Sequence, residues 1–369
     1  MTLNPANKLL LLGACLGGGL CSEIFAQSGM DPYSFLMTDP RHYFCYRIDT
    51  PILCDGKLDE AGWDKAAWSE EFQDIEGMKK PYFKTNMKML WDEEALYVAA
   101  VLNEENVWAY LHQHDDIVYH ENDFEVFIDV LGKGINYFEI EVNALNTVFD
   151  LMLGRPYRDG GKADISWDAK GLISGIGIDG TLNEGMDKDK EWVVEMRIPF
   201  SALLVDGVQY NPKENSVWRI NFSRVEYEVS YRDGHYEKHR DSLSGKFLPE
   251  HNWVWSSQGV INMHYPERWG YLIFKNKKEL LSPTFEIPVA DQFKKFLWWI
   301  YYQQKEYFKI NKRYAANLKE LKIKFASVKV GKGGKLRVKG DGVGFEVWIE
   351  SKDPDGQWGL REDGLFFMK

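Results

Sequence analysis

Between Tyr119 and Val130 the chain reads YHENDFEVFIDV, which sets Asp123, Glu125 and Asp129 among Phe124, Val126, Ile128 and Val130. With a period of two this is a β-strand that has an apolar face and an acidic one. A second segment, YFEIEVN, repeats the pattern: Tyr137, Glu139, Glu141 and Asn143 share one face, Phe138, Ile140 and Val142 the other. Carboxylates placed side by side repel one another unless a metal ion, a sugar, an arginine or water intervenes. Two carboxyls held across a glycosidic bond could also serve as acid and base in hydrolysis. The residue types leave these chemistries open.

Two further segments add to the same inventory. In EWVVEMRI, Glu195 and Arg197 lie opposite Trp192, Val194, Met196 and Ile198; in WRINFSR, Arg219, Asn221 and Ser223 alternate with Trp218, Ile220 and Phe222. A merely solvated sheet favours mixtures of Lys, Thr and Glu. Converging acids, amides, hydroxyls and guanidinium groups suit a ligand built of hydroxyls, each of which must exchange water for a directional partner. The apolar face of a sugar ring asks in addition for an aromatic plate. Tyr119, Trp108, Tyr157, Trp167, Trp253 and Trp255 are the candidates.

The elements that must carry these side chains are short strands. From about residue 42 to 275 the chain alternates strand-like runs with turns rich in Gly, Asp and Asn, and KTNMKMLWDEEALYVAAVLNE and YFEIEVNALNTVFDLML each read as a strand pair. No regular helices intervene to make crossovers, so a mainly β, two-sheet antiparallel β-sandwich of jelly-roll or immunoglobulin-like type is expected. After RWGYLIF the composition shifts toward Lys. DQFKKFLWWIYYQQKEYFKINKRY predicts one long helix over about 291–314, with Asp291 as N-cap and Phe293, Phe296, Leu297, Ile300, Tyr307 and Tyr314 at helical spacing. Its apolar centre is too short to cross a bilayer, so the stripe is expected to pack on a sheet rather than lie on a membrane. FASVKVGKGGKLRV reads as a hairpin, followed by GFEVWIE and GLREDGLFF, which gives a small α+β unit over 276–369.

The first 26 residues have one Lys, an apolar stretch and IFA before Gln27, the layout of a secretory signal. Export to the periplasm, the cell surface or the medium is therefore expected, with 27–41 as a linker; LGAC, ending at Cys15, offers lipoprotein anchoring as the lesser alternative. Outside the signal only Cys45 and Cys54 remain, and they could pair or be two buried small side chains. A net charge of −11 disfavours nucleic acid and anionic membranes as partners. No G-x-S-x-G, HExxH or phosphate-loop motif occurs.

PILCDGKLDEAGWDKA, MLWDEEALYVAAVLNE, ENDFEVFID and WVWSSQGVINMHYPERWGYLIF resemble, in order and spacing, carbohydrate-binding module family 9 and its family 9-like relatives, over about residues 42–275. The resemblance implies a sandwich that binds oligosaccharide or polysaccharide, is often stabilised by calcium and frequently accompanies glycoside hydrolases. It places a sugar-stacking residue at Tyr119 and a sugar-contacting glutamate at Glu125. A second stacking tryptophan of the family falls on Met263 and an arginine on Glu141, so the usual two-plate clamp is altered. His264, Tyr265 and Arg268, or Arg155, Tyr157 and Arg158, could take over part of the site.

The expected site residues are thus Tyr119, Glu125, Asn143, Glu141, Arg219, Asn221, Met263 and His264, in an exported carbohydrate-binding protein of glycan capture or carbohydrate catabolism. The alternatives are a glycoside hydrolase, or an accessory module of one, and a structural or protein-interaction domain. Calcium has candidate ligands in Asp55, Asp59, Glu60, Asp92, Asp115 and Asp116, and HQHDD offers His112 and His114 to a transition metal. No haem is expected, because Met263 and His264 are adjacent and on a strand would point to opposite faces.

Overall fold

The computed structural model describes residues 31–277, 283–323, 334–350 and 357–368. The chain divides into two compact units, Pro40–Ile287 and Pro288–Lys369, the latter including the chain up to Asp39. The expected signal over 1–26 lies outside the described residues.

The larger unit is built of strands. In chain order these are β1 (His42–Arg47), β2 (Gln73–Asp74), β3 (Thr85–Trp91), β4 (Ala95–Asn103), β5 (Asp123–Asp129), β6 (Tyr137–Asn143), β7 (Val148–Leu153) and β8 (Ala163–Asp164). They continue as β9 (Ile173–Asp179), β10 (Glu191–Pro199), β11 (Leu204–Val205), β12 (Val208–Gln209), β13 (Val217–Glu226), β14 (Val229–Arg232), β15 (His235–Lys238), β16 (His251–Val254) and β17 (Gly270–Lys275). Thirteen form one sheet in the order β8-β7-β6-β5-β13-β17-β1-β3-β4-β10-β9, with β16 and β2 branching from β13.

The alternation read from sequence sets the inner face of this sheet. Phe124, Val126 and Ile128 of β5, Phe138, Ile140 and Val142 of β6, and Trp218, Ile220 and Phe222 of β13 are buried in one core with Met87, Met89, Val98, Ala100, Trp192, Val194 and Met196 of β3, β4 and β10. Two halves of one curled sheet therefore pack face to face as a sandwich, and each large apolar side chain removed from water contributes about 1.5–3 kcal/mol. The expected wholly antiparallel pairing needs one correction. β1 runs parallel to both β17 and β3, and so joins the two halves by hydrogen bonds.

A second correction concerns Glu195 and Arg197. They do face away from the core, but β10 lies between β4 and β9, in the half of the sheet remote from β5 and β6. There Glu195 accepts from Trp63 Nε1 at 2.7 Å, from the Gly56 amide at 2.8 Å and from the Asp55 amide at 3.1 Å. The DGKLDEAGW segment is thus clasped onto the outer face of β9 and β10. Gly56, at φ +86°, is needed there, since a Cβ would collide with the backbone of Ile176 and Gly177. Cys45 and Cys54 are both free and buried, one in the sandwich core and the other beneath this clasp.

In the smaller unit, helix α1 runs Val289–Asn311, and β18 (Lys335–Gly340), β19 (Phe345–Glu350), β20 (Trp358–Arg361) and β21 (Phe366–Met368) form an antiparallel sheet in that order. Asp291 is not the N-cap. Pro288 holds that position, and Asp291 pairs with Lys294 at 3.1 Å inside the first turn. Lys312, at φ 56°, ends the helix before Tyr314, which still packs against Phe345 at 5.0 Å. The aromatic stripe lies on the sheet: Leu297, Ile300 and Tyr301 are buried, and Trp298 meets Phe366 at 5.5 Å. Residues expected to be linker join this unit instead, with Tyr33 stacked on Tyr302 at 5.1 Å. The first half of the expected FASVKVGKGGKLRV hairpin lies outside the described residues. Among those described, no helix is long and apolar enough to cross a membrane.

Candidate functional site

β13, β5, β6 and β7 are consecutive neighbours, and their outward faces form the floor of a cavity of about 390 Å³. Register fixes what lies beside what. Ser223, Glu125, Glu141 and Phe149 make one row across the four strands; Asn221, Phe127, Glu139 and Leu151 make the next. Asp123 sits one step along, between Val225 and Asn143. Glu125, Glu139 and Glu141 border the cavity, joined by Glu250, Asn252 and Asn262.

Burial dominates the electrostatics of this floor. Asp123, Glu125, Glu139 and Glu141 are all buried, and desolvation pushes each carboxyl above its usual range. Glu125 is pushed up to about 7. After burial, the charge of Glu125 acts most on the other three, so each acid discourages ionisation of the next. Oδ2 of Asp123 and Oε2 of Glu141 are buried and meet no hydrogen-bond donor among the described residues. Asp123, Glu125 and Glu141 bring carboxylate oxygens within 4.8 Å of one another.

Two exposed tyrosines stand at the rim. Tyr119, 40% exposed, comes from the short 3-10 turn Val118–His120, whose backbone is held where Tyr227 Oη donates to the Tyr119 carbonyl at 3.0 Å. Burial, followed by the charges of Glu141, Glu139 and Glu125, raises the Tyr119 phenol. Tyr157, 46% exposed, lies edge-on to His264 with ring centres 4.5 Å apart. His264 itself is held: Nδ1 is 3.0 Å from Tyr137 Oη and Nε2 is 4.0 Å from Glu139. Burial, then the nearby Arg158 charge, lowers its pKa to about 4, so the ring is neutral at physiological pH. Arg158 fixes this loop by donating to the His264 carbonyl at 2.7 Å and to Glu267 at 2.9 Å.

Of the eight expected site residues, Tyr119, Glu125, Glu141, Met263 and His264 border the cavity, and Asn143, Arg219 and Asn221 do not. Those three are occupied in holding the frame. Asn143 donates to the Leu111 carbonyl at 2.8 Å and accepts from the amides of Leu145 and Thr147, both at 3.0 Å. Asn221 exchanges two 2.9 Å bonds with the backbone of Ser256. Arg219 donates to the carbonyls of Trp269 and Glu267 and lies 4.0 Å from the centre of the Tyr271 ring. Met263 is buried against Tyr137 and Trp269, so it cannot serve as an exposed plate; Tyr157 supplies the second exposed ring. Met263 and His264 both border the cavity because their segment is not a strand, which removes the alternation argument about them.

Of the other aromatic candidates, Trp108, Trp253 and Trp255 are buried, and Trp167 packs on Phe138 at 4.9 Å. Glu139, read from sequence as part of the acidic face, also borders the cavity; the polar cavity residues not anticipated are Glu250, Asn252 and Asn262, which carry no period to mark them.

Two of the expected calcium ligands are held within turns. Asp92 is spent on a turn, accepting from the amides of Glu94 and Ala95 and from Tyr97 Oη, and Asp116 accepts from the amides of His112 and Gln113. Among the described residues, Asp115 alone of that set falls in a group of potential ligands, with His114 and Asp150. Asp150 is buried and its Oδ1 meets no partner among the described residues, so this second group fits a cation in its donor set.

The profile of the family described as carbohydrate family 9 binding domain-like matches residues 54–241, just over half of the chain. Among curated proteins none matches. Similar solved structures include a carbohydrate binding module family 9 from Caldicellulosiruptor kristjanssonii in complex with cellotriose. It is 13% identical, covers 67% of this chain and 100% of its own, and has a TM-score of 0.39. The same organism's module in complex with glucose is 14% identical, with coverage of 66% and 100% and a TM-score of 0.39. On the profile match, the chain belongs to the carbohydrate family 9 binding domain-like family.

Proposed function

We propose that this protein captures a saccharide in the cavity over β5, β6 and β7. The observation that carries the reading is the pairing of an acceptor-rich floor, Glu125, Glu139 and Glu141, with two exposed rings at its rim, Tyr119 and Tyr157. Carboxyl oxygens accept from sugar hydroxyls, and a tyrosine face covers the apolar side of a pyranose ring. Membership of a carbohydrate-binding family supports the assignment. The N-terminal apolar run supports an exported role in glycan capture or carbohydrate catabolism.

Hydrolysis has less support. Glu125 and Glu141 stand side by side on one floor rather than on either side of a cleft, and Asp123 is fully buried. The test is a glycan array followed by titration calorimetry on the best-retained oligosaccharide. Tyr119→Ala and Glu125→Gln should each weaken binding about tenfold to a hundredfold. Unchanged affinity in both removes the cavity from consideration, and release of reducing ends that disappears in Glu125→Gln would replace binding by catalysis.

A further inference from the structure

The acidic floor holds more carboxylate than hydroxyl recognition requires. Glu125 and Glu141 are cross-strand partners, Asp123 lies one pleat along, and all three are at least nine-tenths buried. Like charges facing each other across strands destabilise a sheet, and an unpaired buried charge is costlier still. After burial, the charge of Glu125 is the largest influence on both Asp123 and Glu141. Asp123 Oδ1 accepts from the Val225 amide at 3.2 Å, but Asp123 Oδ2 and Glu141 Oε2 have no donor among the described residues.

We propose that Asp123, Glu125 and Glu141 bind a divalent cation of the calcium class at the floor of the cavity, and that the cation in turn takes hydroxyls of the saccharide as ligands. Their oxygens lie within 4.8 Å of one another, which matches oxygens placed around one ion at calcium–oxygen distances of about 2.3–2.6 Å. The fully buried Asp123 is out of reach of a sugar but not of a bare ion entering from the cavity side. Three carboxylates leave part of a six- to eight-oxygen shell open. The open positions face the cavity bordered by Tyr119 and Tyr157, where a pair of adjacent hydroxyls would complete the shell. The second half of this inference rests on the saccharide-binding reading; the first half does not.

The experiment separates the two. Chelator-treated protein at pH 8 is titrated with calcium by calorimetry, and with terbium, whose luminescence nearby tyrosine sensitises, with calcium as competitor. One ion per chain should bind at this cluster, weakened at least tenfold in Glu141→Gln and in Glu125→Gln and unchanged in Asp150→Asn, which alters the separate His114 group. Thermal melts establish that each variant is folded. No binding at millimolar calcium, or binding equal in wild type and both Glu variants, overturns the cation site. The glycan array is then run in calcium and in chelator. Capture only in calcium supports the bridging role, and capture equal in both overturns it while leaving saccharide binding intact. Ion binding with no glycan captured in either leaves the cation site and removes the saccharide reading.

Discussion

Glu125 and Glu141 face each other directly across β5 and β6, both buried, with no arginine or lysine between them in the strand register. Such a pair is unfavourable when both members are ionised, unless a ligand or a counter-charge intervenes. In chelated protein near pH 8, Glu141→Gln should therefore raise the melting temperature, since relieving one like-charge contact gains about 1 kcal/mol, or about 2–4 °C for a domain of this size. In calcium the order should reverse, because the wild type alone gains the full free energy of the ion. A variant less stable than wild type under both conditions would mean that the protein itself compensates the pair.

Tyr157 and Met263 both border the cavity, and of the two only Tyr157 presents an exposed ring. Its ring is exposed and makes its edge contact with His264, so Tyr157→Ala should leave the melting temperature within about 1 °C and weaken oligosaccharide binding about fivefold to thirtyfold. Calorimetry on Tyr119→Ala, Tyr157→Ala and the double variant checks whether the two rings act on one ligand. Affinity untouched by Tyr157→Ala would leave Tyr119 as a single plate.

Asn143 illustrates the opposite case, a polar residue on the right strand that is consumed by structure. It is fully buried, and its amide ties the end of β6 to the loop at Leu111 and to the turn at Leu145–Thr147. Asn143→Ala leaves the amides of Leu145 and Thr147 without their acceptor, while the Leu111 carbonyl keeps its bond from Thr147 Oγ1, a loss of about 2–4 kcal/mol. The melting temperature should fall by about 5 °C or more, whereas the folded fraction keeps its affinity for glycan. A drop in affinity at unchanged stability would return Asn143 to the site.

These outcomes mark what was legible in the sequence. The period of two placed Phe124, Val126 and Ile128 inward and Glu125 outward correctly, because side-chain alternation is a local property of a strand. It could not say which outward faces adjoin. Glu195 obeys the same alternation, yet β10 belongs to the other half of the sheet, since long-range pairing decides neighbours. Nor could it say which outward faces are covered. The segment around Ser256–Trp269 lies over β13, and its backbone groups claim Asn221 and Arg219 before any ligand can. Tyr157 and His264 come together from loops with no period, so only the folded chain reveals their contact.

His264 sets the behaviour of this wall with pH. Its ring faces Tyr137, Glu139 and Tyr157, with the Arg158 guanidinium nearby, and burial followed by that positive charge lowers its pKa to about 4 from an ordinary 6.5. In the unfolded chain the imidazole takes its proton at about 6.5. Between about pH 6.5 and 4 the unfolded state therefore binds more protons, and the stability that comes from keeping His264 neutral is lost as the pH falls through that window. The full effect is about 3 kcal/mol at most, reduced by whatever relaxation admits water. The raised carboxyls work with the opposite sign, gaining stability on acidification, so the measurement must be a difference. Melting curves of wild type and His264→Gln from pH 4 to 7.5 should converge as the pH drops, with the wild type more stable near pH 7 and its advantage gone by about pH 4.5. Parallel curves across that range would mean that His264 titrates alike in both states and that the wall it shares with Glu139 is open to water.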